Sequence, residues 1–66
     1  MTVIVNGRAV ELADGATAAA AVRLLTGASR GIAVAVNGAV VRRSAWESTP
    51  LADGDEVEVL TAVQGG

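Results

Sequence analysis

Cysteine, histidine, lysine, phenylalanine and tyrosine do not occur in this 66-residue sequence, and tryptophan, proline and methionine occur once each. Without cysteine there is no disulfide, no thiolate nucleophile and no thiol ligand; without histidine there is no imidazole base and no ordinary zinc site. The missing rings leave a core of Val, Ile and Leu, which suits strands because stiff β-branched side chains pack well on a pleated surface. Charge is sparse as well. The charged fraction is 18%, the net charge is −2, and the five basic residues are arginines spread along the chain (Arg8, Arg23, Arg30, Arg42, Arg43). Such scatter lacks the dense basic surface that a phosphate backbone selects, so nucleic acid is not an expected partner. The opening MTVIVNG has neither the charged start nor the apolar run of a secretory signal, and no stretch is long enough to span a bilayer. The expected location is the cytoplasm, away from membranes.

A chain of 66 residues makes one domain, 1–66. A domain of this size buries only roughly 60% of the surface its unfolded chain exposes. Little is left to enclose an enzyme-sized cavity of roughly 300–1,000 Å3. Chemistry is therefore expected at the surface, at a terminus or at a partner's interface, and the chain itself is not expected to be an enzyme.

Thr2 to Asn6 reads as a strand, and Asn6-Gly7 reads as a type I′ hairpin turn, which needs positive φ at both central positions. Arg8 to Leu12 is the return strand. Thr17 fits a helix N-cap with its hydroxyl facing the first-turn amides. Ala18, Ala21, Val22 and Leu25 then share one helical face, and Gly27 fits the C′ stop. Ile32 to Val36 carries no polar residue, as expected of a central strand. Asn37-Gly38 turns it into a fourth strand, Ala39 to Arg42. Ser44-Ala45-Trp46-Glu47 has the form of a capping box, and Pro50 limits the segment to about one helical turn. Leu51 is expected to pin it to the core. Asp53-Gly54-Asp55 turns into a last alternating strand from Glu56 through about Ala62, and residues 63–66 are expected to be a flexible tail. Two strands, a helix and three strands describe an α+β fold, with one helix packed across a mixed sheet of about five strands.

Several residues carry a sharp and a plain reading. Trp46 is either an interface anchor or the filler of a core short of large side chains. Arg42 and Arg43 either meet an acidic partner or sit solvated at a strand end. Asp53, Asp55, Glu56 and Glu58 alternate through a turn and strand, which favours an exposed face, and their order does not match a calcium loop. No metal site is expected. Asn6-Gly7 and Asn37-Gly38 are read as turn chemistry and nothing more.

End to end, the chain resembles the thiamine-pathway sulfur carrier proteins (ThiS type) of the ubiquitin-like β-grasp superfamily. The likeness rests on Val3-Ile4-Val5-Asn6-Gly7, Ile32-Ala33-Val34-Ala35-Val36-Asn37 and Arg43-Ser44-Ala45-Trp46. It is strongest in Leu51-Ala52-Asp53-Gly54-Asp55-Glu56-Val57-Glu58-Val59 and Thr61-Ala62-Val63-Gln64-Gly65-Gly66, where the closing Ala-Val-Gln-Gly-Gly is the specific element. One departure is Arg42, where the family often has proline. The resemblance implies a β-grasp fold and a Gly66 carboxylate adenylated by an ATP-dependent, ubiquitin-activating-type enzyme. Sulfur from a cysteine desulfurase relay then makes a thiocarboxylate, which donates to thiazole synthase. No cofactor is expected on the chain itself, since the ATP is used by the partner.

The residue types suit that chemistry. A terminal carboxylate is ionised at neutral pH, with a pKa of about 3.3–3.7, and can attack the α-phosphate of ATP. Gly65 and Gly66 lack a Cβ, so backbone can enter a narrow channel. Ala62 to Gly66, fully extended, reach at most about 17 Å. The last strand and the sheet face beside it are expected to dock partners, through Leu60, Val63, Gln64, Gly65 and Gly66. A carrier for molybdopterin or cysteine synthesis would use the same terminal chemistry, although chain length and Thr61-Ala62-Val63-Gln64 favour thiamine. A lysine-conjugated protein modifier and a β-grasp binding module with an incidental tail also remain open.

Overall fold

Asparagine and glycine accept the left-handed backbone that a two-residue hairpin demands, and the chain places the pair at two such corners. The computed structural model describes residues 1–27 and 31–61. In it, β1 (Thr2–Val5) turns through Asn6 (φ 50°) and Gly7 (φ 83°) into β2 (Arg8–Glu11). Likewise β3 (Ile32–Val36) turns through Asn37 (φ 51°) and Gly38 (φ 84°) into β4 (Ala39–Val41). Between the hairpins lies α1 (Ala18–Leu25); after them come a 3-10 turn (Arg43–Ser48) and β5 (Glu56–Thr61).

The strands form one mixed sheet in the order β2-β1-β5-β3-β4. The last strand is therefore the middle one. It runs parallel to β1, with Ile4 opposite Glu56 and Val5 opposite Val57. On its other side it is antiparallel to β3, from Ile32 opposite Thr61 to Val36 opposite Val57. The all-apolar β3 is an interior strand too, as expected, paired on one side with β5 and on the other with β4. Its alternation is one of size: Val34 faces the core, while Ala33 and Ala35 look outward.

Val3, Val5, Val34, Val57 and Val59 line the inner face and pack with Ala18, Ala19, Ala21 and Val22 of α1, closed by Trp46 and Leu51. Alanine on the helix lets its axis approach the sheet, so a core with a single aromatic ring still fills. Trp46 takes the plain role: it is 6% exposed, and its indole N–H donates to the Val41 carbonyl at 3.0 Å. Leu51 is also 6% exposed and pins its segment as expected.

Four local expectations are corrected. Thr17 is the N-cap residue, but its hydroxyl makes no capping bond. The Ala18 amide is instead taken by the Thr49 carbonyl at 2.9 Å, and the Leu51 amide by the Ala16 carbonyl at 2.9 Å, so a neighbouring segment caps the helix. Leu25 is 49% exposed, because the helical part of the core cluster ends a turn earlier at Val22. Gly27 follows the C-cap Thr26 without a left-handed φ, since the Thr26 amide already closes the last turn on the Val22 carbonyl at 3.1 Å. The capping box does not form either. The 3-10 turn begins at Arg43 with Arg42 as its N-cap, and Glu47 reaches across to Arg23 of α1 at 3.4 Å.

Candidate functional site

Alternation along β5 divides its side chains cleanly. Val57 and Val59 point into the core, while Glu56, Glu58 and Leu60 point out. Leu60 is 67% exposed, a large apolar side chain left in water at the end of the sheet's central strand. The register places Ala33 beside Leu60 and Ala35 beside Glu58, and on β4 it places Val40, 83% exposed, beside Ala35. Ile4 and Glu56 meet on the β1 side. The outer face is thus apolar and acidic. A shallow hollow of about 450 Å3 opens on it beside Asn6, Gly7 and Leu60.

Hydrogen bonds fix β5 from both sides, and two asparagines account for a good part of them. In the parallel ladder the Ile4 amide donates to the Asp55 carbonyl at 2.8 Å and the Asn6 amide to the Val57 carbonyl at 2.9 Å. The chain then turns away at Gly7, yet Asn6 continues the pairing with its side chain. Its Oδ1 accepts the Val59 amide at 2.8 Å and its Nδ2 donates to the Val59 carbonyl at 3.0 Å. On the other side, the Asn37 amide donates to the Glu56 carbonyl at 2.7 Å, and Asn37 Oδ1 accepts the Glu56 amide at 3.0 Å. These side chains do more than permit a turn, which corrects the plainer reading. The signal was available: Asp-Gly would turn the chain equally well, but only a carboxamide both donates and accepts.

Two of the four clustered acids turn out to hold the turn together. Asp53 Oδ1 accepts the Thr2 amide at 2.7 Å. Asp55 accepts the Ala52 amide at 2.7 Å and Asn37 Nδ2 at 3.0 Å. Those donors, the backbone amide first and the Asn37 carboxamide second, hold the Asp55 carboxyl below its ordinary value of 3.8. Among the described residues no three acidic, cysteine or histidine side chains gather to hold a metal ion. Arg42 and Arg43 are exposed and form no ion pair among the described residues. A second hollow of about 330 Å3 lies between α1 and the 3-10 turn, on the helix side of the sheet. No described helix is long and apolar enough to cross a membrane.

Of the residues expected to meet partners, Leu60 is exposed on the outer face. Val63, Gln64, Gly65 and Gly66 lie outside the described residues, as does the expected tail 63–66.

A five-stranded mixed sheet in this order, crossed by one helix on a single face, defines a ubiquitin-like β-grasp protein. More specifically, the chain belongs to the ThiS family, whose model matches residues 3–66. It is similar to the crystal structure of the thiamine biosynthesis protein ThiS from Geobacter metallireducens, at 30% identity and a TM-score of 0.80, with 100% of each chain covered. It is also similar to the NMR solution structure of a thiamine biosynthesis protein from Geobacter metallireducens, at 32% identity and a TM-score of 0.77, covering 100% of this chain and 88% of that one. No curated protein gives a significant match to the chain.

Proposed function

We propose that the chain is a sulfur carrier of thiamine biosynthesis and not itself a catalyst. The observation that carries this reading is the match to the ThiS family over residues 3–66, which takes in the closing Gly65-Gly66. In this reading Gly66 bears the sulfur and Gly65 gives slim access. An oxygen of the Gly66 carboxylate attacks the α-phosphorus of ATP in a partner's active site and pyrophosphate leaves. The carboxylate, a poor electrophile, has become an acyl adenylate with AMP as leaving group. A sulfide-level nucleophile then attacks the carbonyl carbon, the C–O bond to AMP breaks, and a thiocarboxylate remains for transfer to thiazole synthase.

The fold supports such a division of labour. The domain presents a face and a last strand hydrogen-bonded on both sides, while the partner supplies nucleotide binding and the imidazole and thiol chemistry for which this sequence has no residues. The apolar and acidic outer face, with Leu60 near the exit of β5, suits an adenylating partner whose docking patch is apolar and ringed by basic groups. Val63 and Gln64 extend that contact toward the reacting end.

Intact mass spectrometry after incubation with a thiamine-pathway adenylating enzyme, ATP and a sulfur donor tests the reading, with a Gly66-deleted variant alongside. The expected result is a gain equal to the exchange of one oxygen for sulfur, absent from the deleted variant. An unchanged mass with an enzyme that charges another carrier would refute it.

A further inference from the structure

We infer that Asn6 is a positioning residue for the sulfur-bearing end: its carboxamide supplies the acceptor and the donor that a continuing β1 backbone would have offered Val59, and so fixes the backbone there, from which the chain runs on to Gly66. The inference rests on the sulfur-carrier reading, and its geometry is already complete among the described residues.

In a parallel ladder, alternate residues of one strand bond to the two neighbours of their partner on the other. The bonds from Ile4 to Asp55 and from Asn6 to Val57 set that rhythm at 2.8 and 2.9 Å. Had β1 continued, its backbone would next have accepted the Val59 amide and donated to the Val59 carbonyl. The Asn6 carboxamide makes both bonds, at 2.8 and 3.0 Å. Among the described residues it is the last hydrogen-bonded pairing of β5 on the β1 side. Beyond it, among the described residues, the strand's backbone pairing is with β3, through Ala33 opposite Leu60 and Ile32 opposite Thr61.

A strand held along one edge can twist about that ladder; a strand held along both cannot. Asn6 therefore sets the direction in which the chain leaves the domain two residues before Thr61. A carrier must place one carbonyl carbon within a partner's active site, and each degree of freedom left at the exit has to be frozen on docking. Losing the clamp should weaken productive binding while leaving the chemical step of a seated tail unchanged. Residue type is constrained as well. Aspartate tolerates the left-handed turn and keeps the acceptor but cannot donate to the Val59 carbonyl, and glycine keeps the turn and loses both bonds.

Asn37 provides an internal control. It has the same φ, sits in the same kind of turn and clamps the same strand, but at Glu56, the end remote from the exit. It also bonds Asp55, so its removal should destabilise the domain at least as much as removal of the Asn6 carboxamide.

The experiment compares wild type with Asn6→Gly, Asn6→Asp and Asn37→Gly. Amide hydrogen exchange is read at Val59, Leu60 and Thr61, and steady-state adenylation kinetics are measured with the adenylating enzyme and ATP. Asn6→Gly should speed exchange at Val59 roughly tenfold more than Asn37→Gly does. It should raise KM for the carrier about fivefold with kcat unchanged, while Asn6→Asp falls between and Asn37→Gly keeps the wild-type KM. Equal KM increases in Asn6→Gly and Asn37→Gly would reduce Asn6 to a structural residue and overturn the inference. So would wild-type exchange at Val59 in Asn6→Gly. If the wild-type chain is not adenylated at all, the carrier reading fails by itself, and the exchange comparison still decides whether Asn6 holds the exit.

Discussion

Leu60→Ala separates a residue kept for docking from one kept for folding. Complete burial of a leucine side chain contributes about 1.5–3 kcal/mol. Leu60 leaves 67% of its surface in water, so folding has drawn on roughly a third of that and about two-thirds remains for a partner. The substitution should therefore lower unfolding free energy by less than about 1 kcal/mol. If the adenylating enzyme covers this side chain, affinity should fall by about 1–2 kcal/mol, or roughly 5- to 30-fold in Kd. Its neighbour Val59 is 4% exposed and faces the core, so Val59→Ala should show the reverse pattern, with about 1.5–3 kcal/mol of stability lost. Stability is read by urea unfolding followed by the fluorescence of Trp46, and affinity by titration calorimetry with the enzyme. A Leu60→Ala variant that loses more than about 1.5 kcal/mol of stability would show that the outer face is not free surface. An unchanged Kd would show that partners dock elsewhere.

Other outcomes follow from single contacts. Trp46→Phe keeps a ring in the core but leaves the Val41 carbonyl without its indole donor, so thermal unfolding by circular dichroism should show a loss of about 2–3 kcal/mol. A loss under about 0.5 kcal/mol would count against that bond. Asp55 has a folded-state pKa depressed below 3.8, so its contribution is present above that pH and is lost as pH falls from there through the folded pKa. The melting temperature of Asp55→Asn should accordingly fall less steeply than wild type between about pH 4 and pH 2. Parallel slopes would mean that the Ala52 and Asn37 donors are not what hold this carboxyl down. Deleting Gly66 should abolish sulfur loading while leaving the unfolding midpoint unchanged, as the intact-mass and urea measurements together would show.

Much of this architecture was legible because the turns are unambiguous. Asn-Gly twice, separated by a short amphipathic run, leaves few ways to arrange two hairpins and a helix. The alternation of Glu56, Val57, Glu58 and Val59 likewise foretold which way each side chain points. What stayed hidden was non-local. The place of β5 at the centre depends on its parallel pairing with β1, more than fifty residues earlier, and no local pattern encodes that partner. The helix cap failed for the same reason: a threonine at the N-cap position looks sufficient until Thr49 arrives from another part of the chain. Sequence periodicity placed Leu25 on the correct side of the helix, but it could not show where the sheet's cover stops. The asparagine clamps were hidden too, because the left-handed turn alone accounts for an Asn-Gly pair and the strand that each carboxamide holds lies far along the chain.

The central position of β5 also has a mechanical consequence. When a partner draws on the end of the chain, the tension enters the domain along β5. That strand pairs with β3 from Val57 to Thr61 and with β1 and the Asn6 side chain up to Val59, so the load runs along its ladders in shear instead of peeling an edge strand one bond at a time. The flanking hairpins act as the two jaws of a grip, so tension on the end of the strand is shared by many bonds at once.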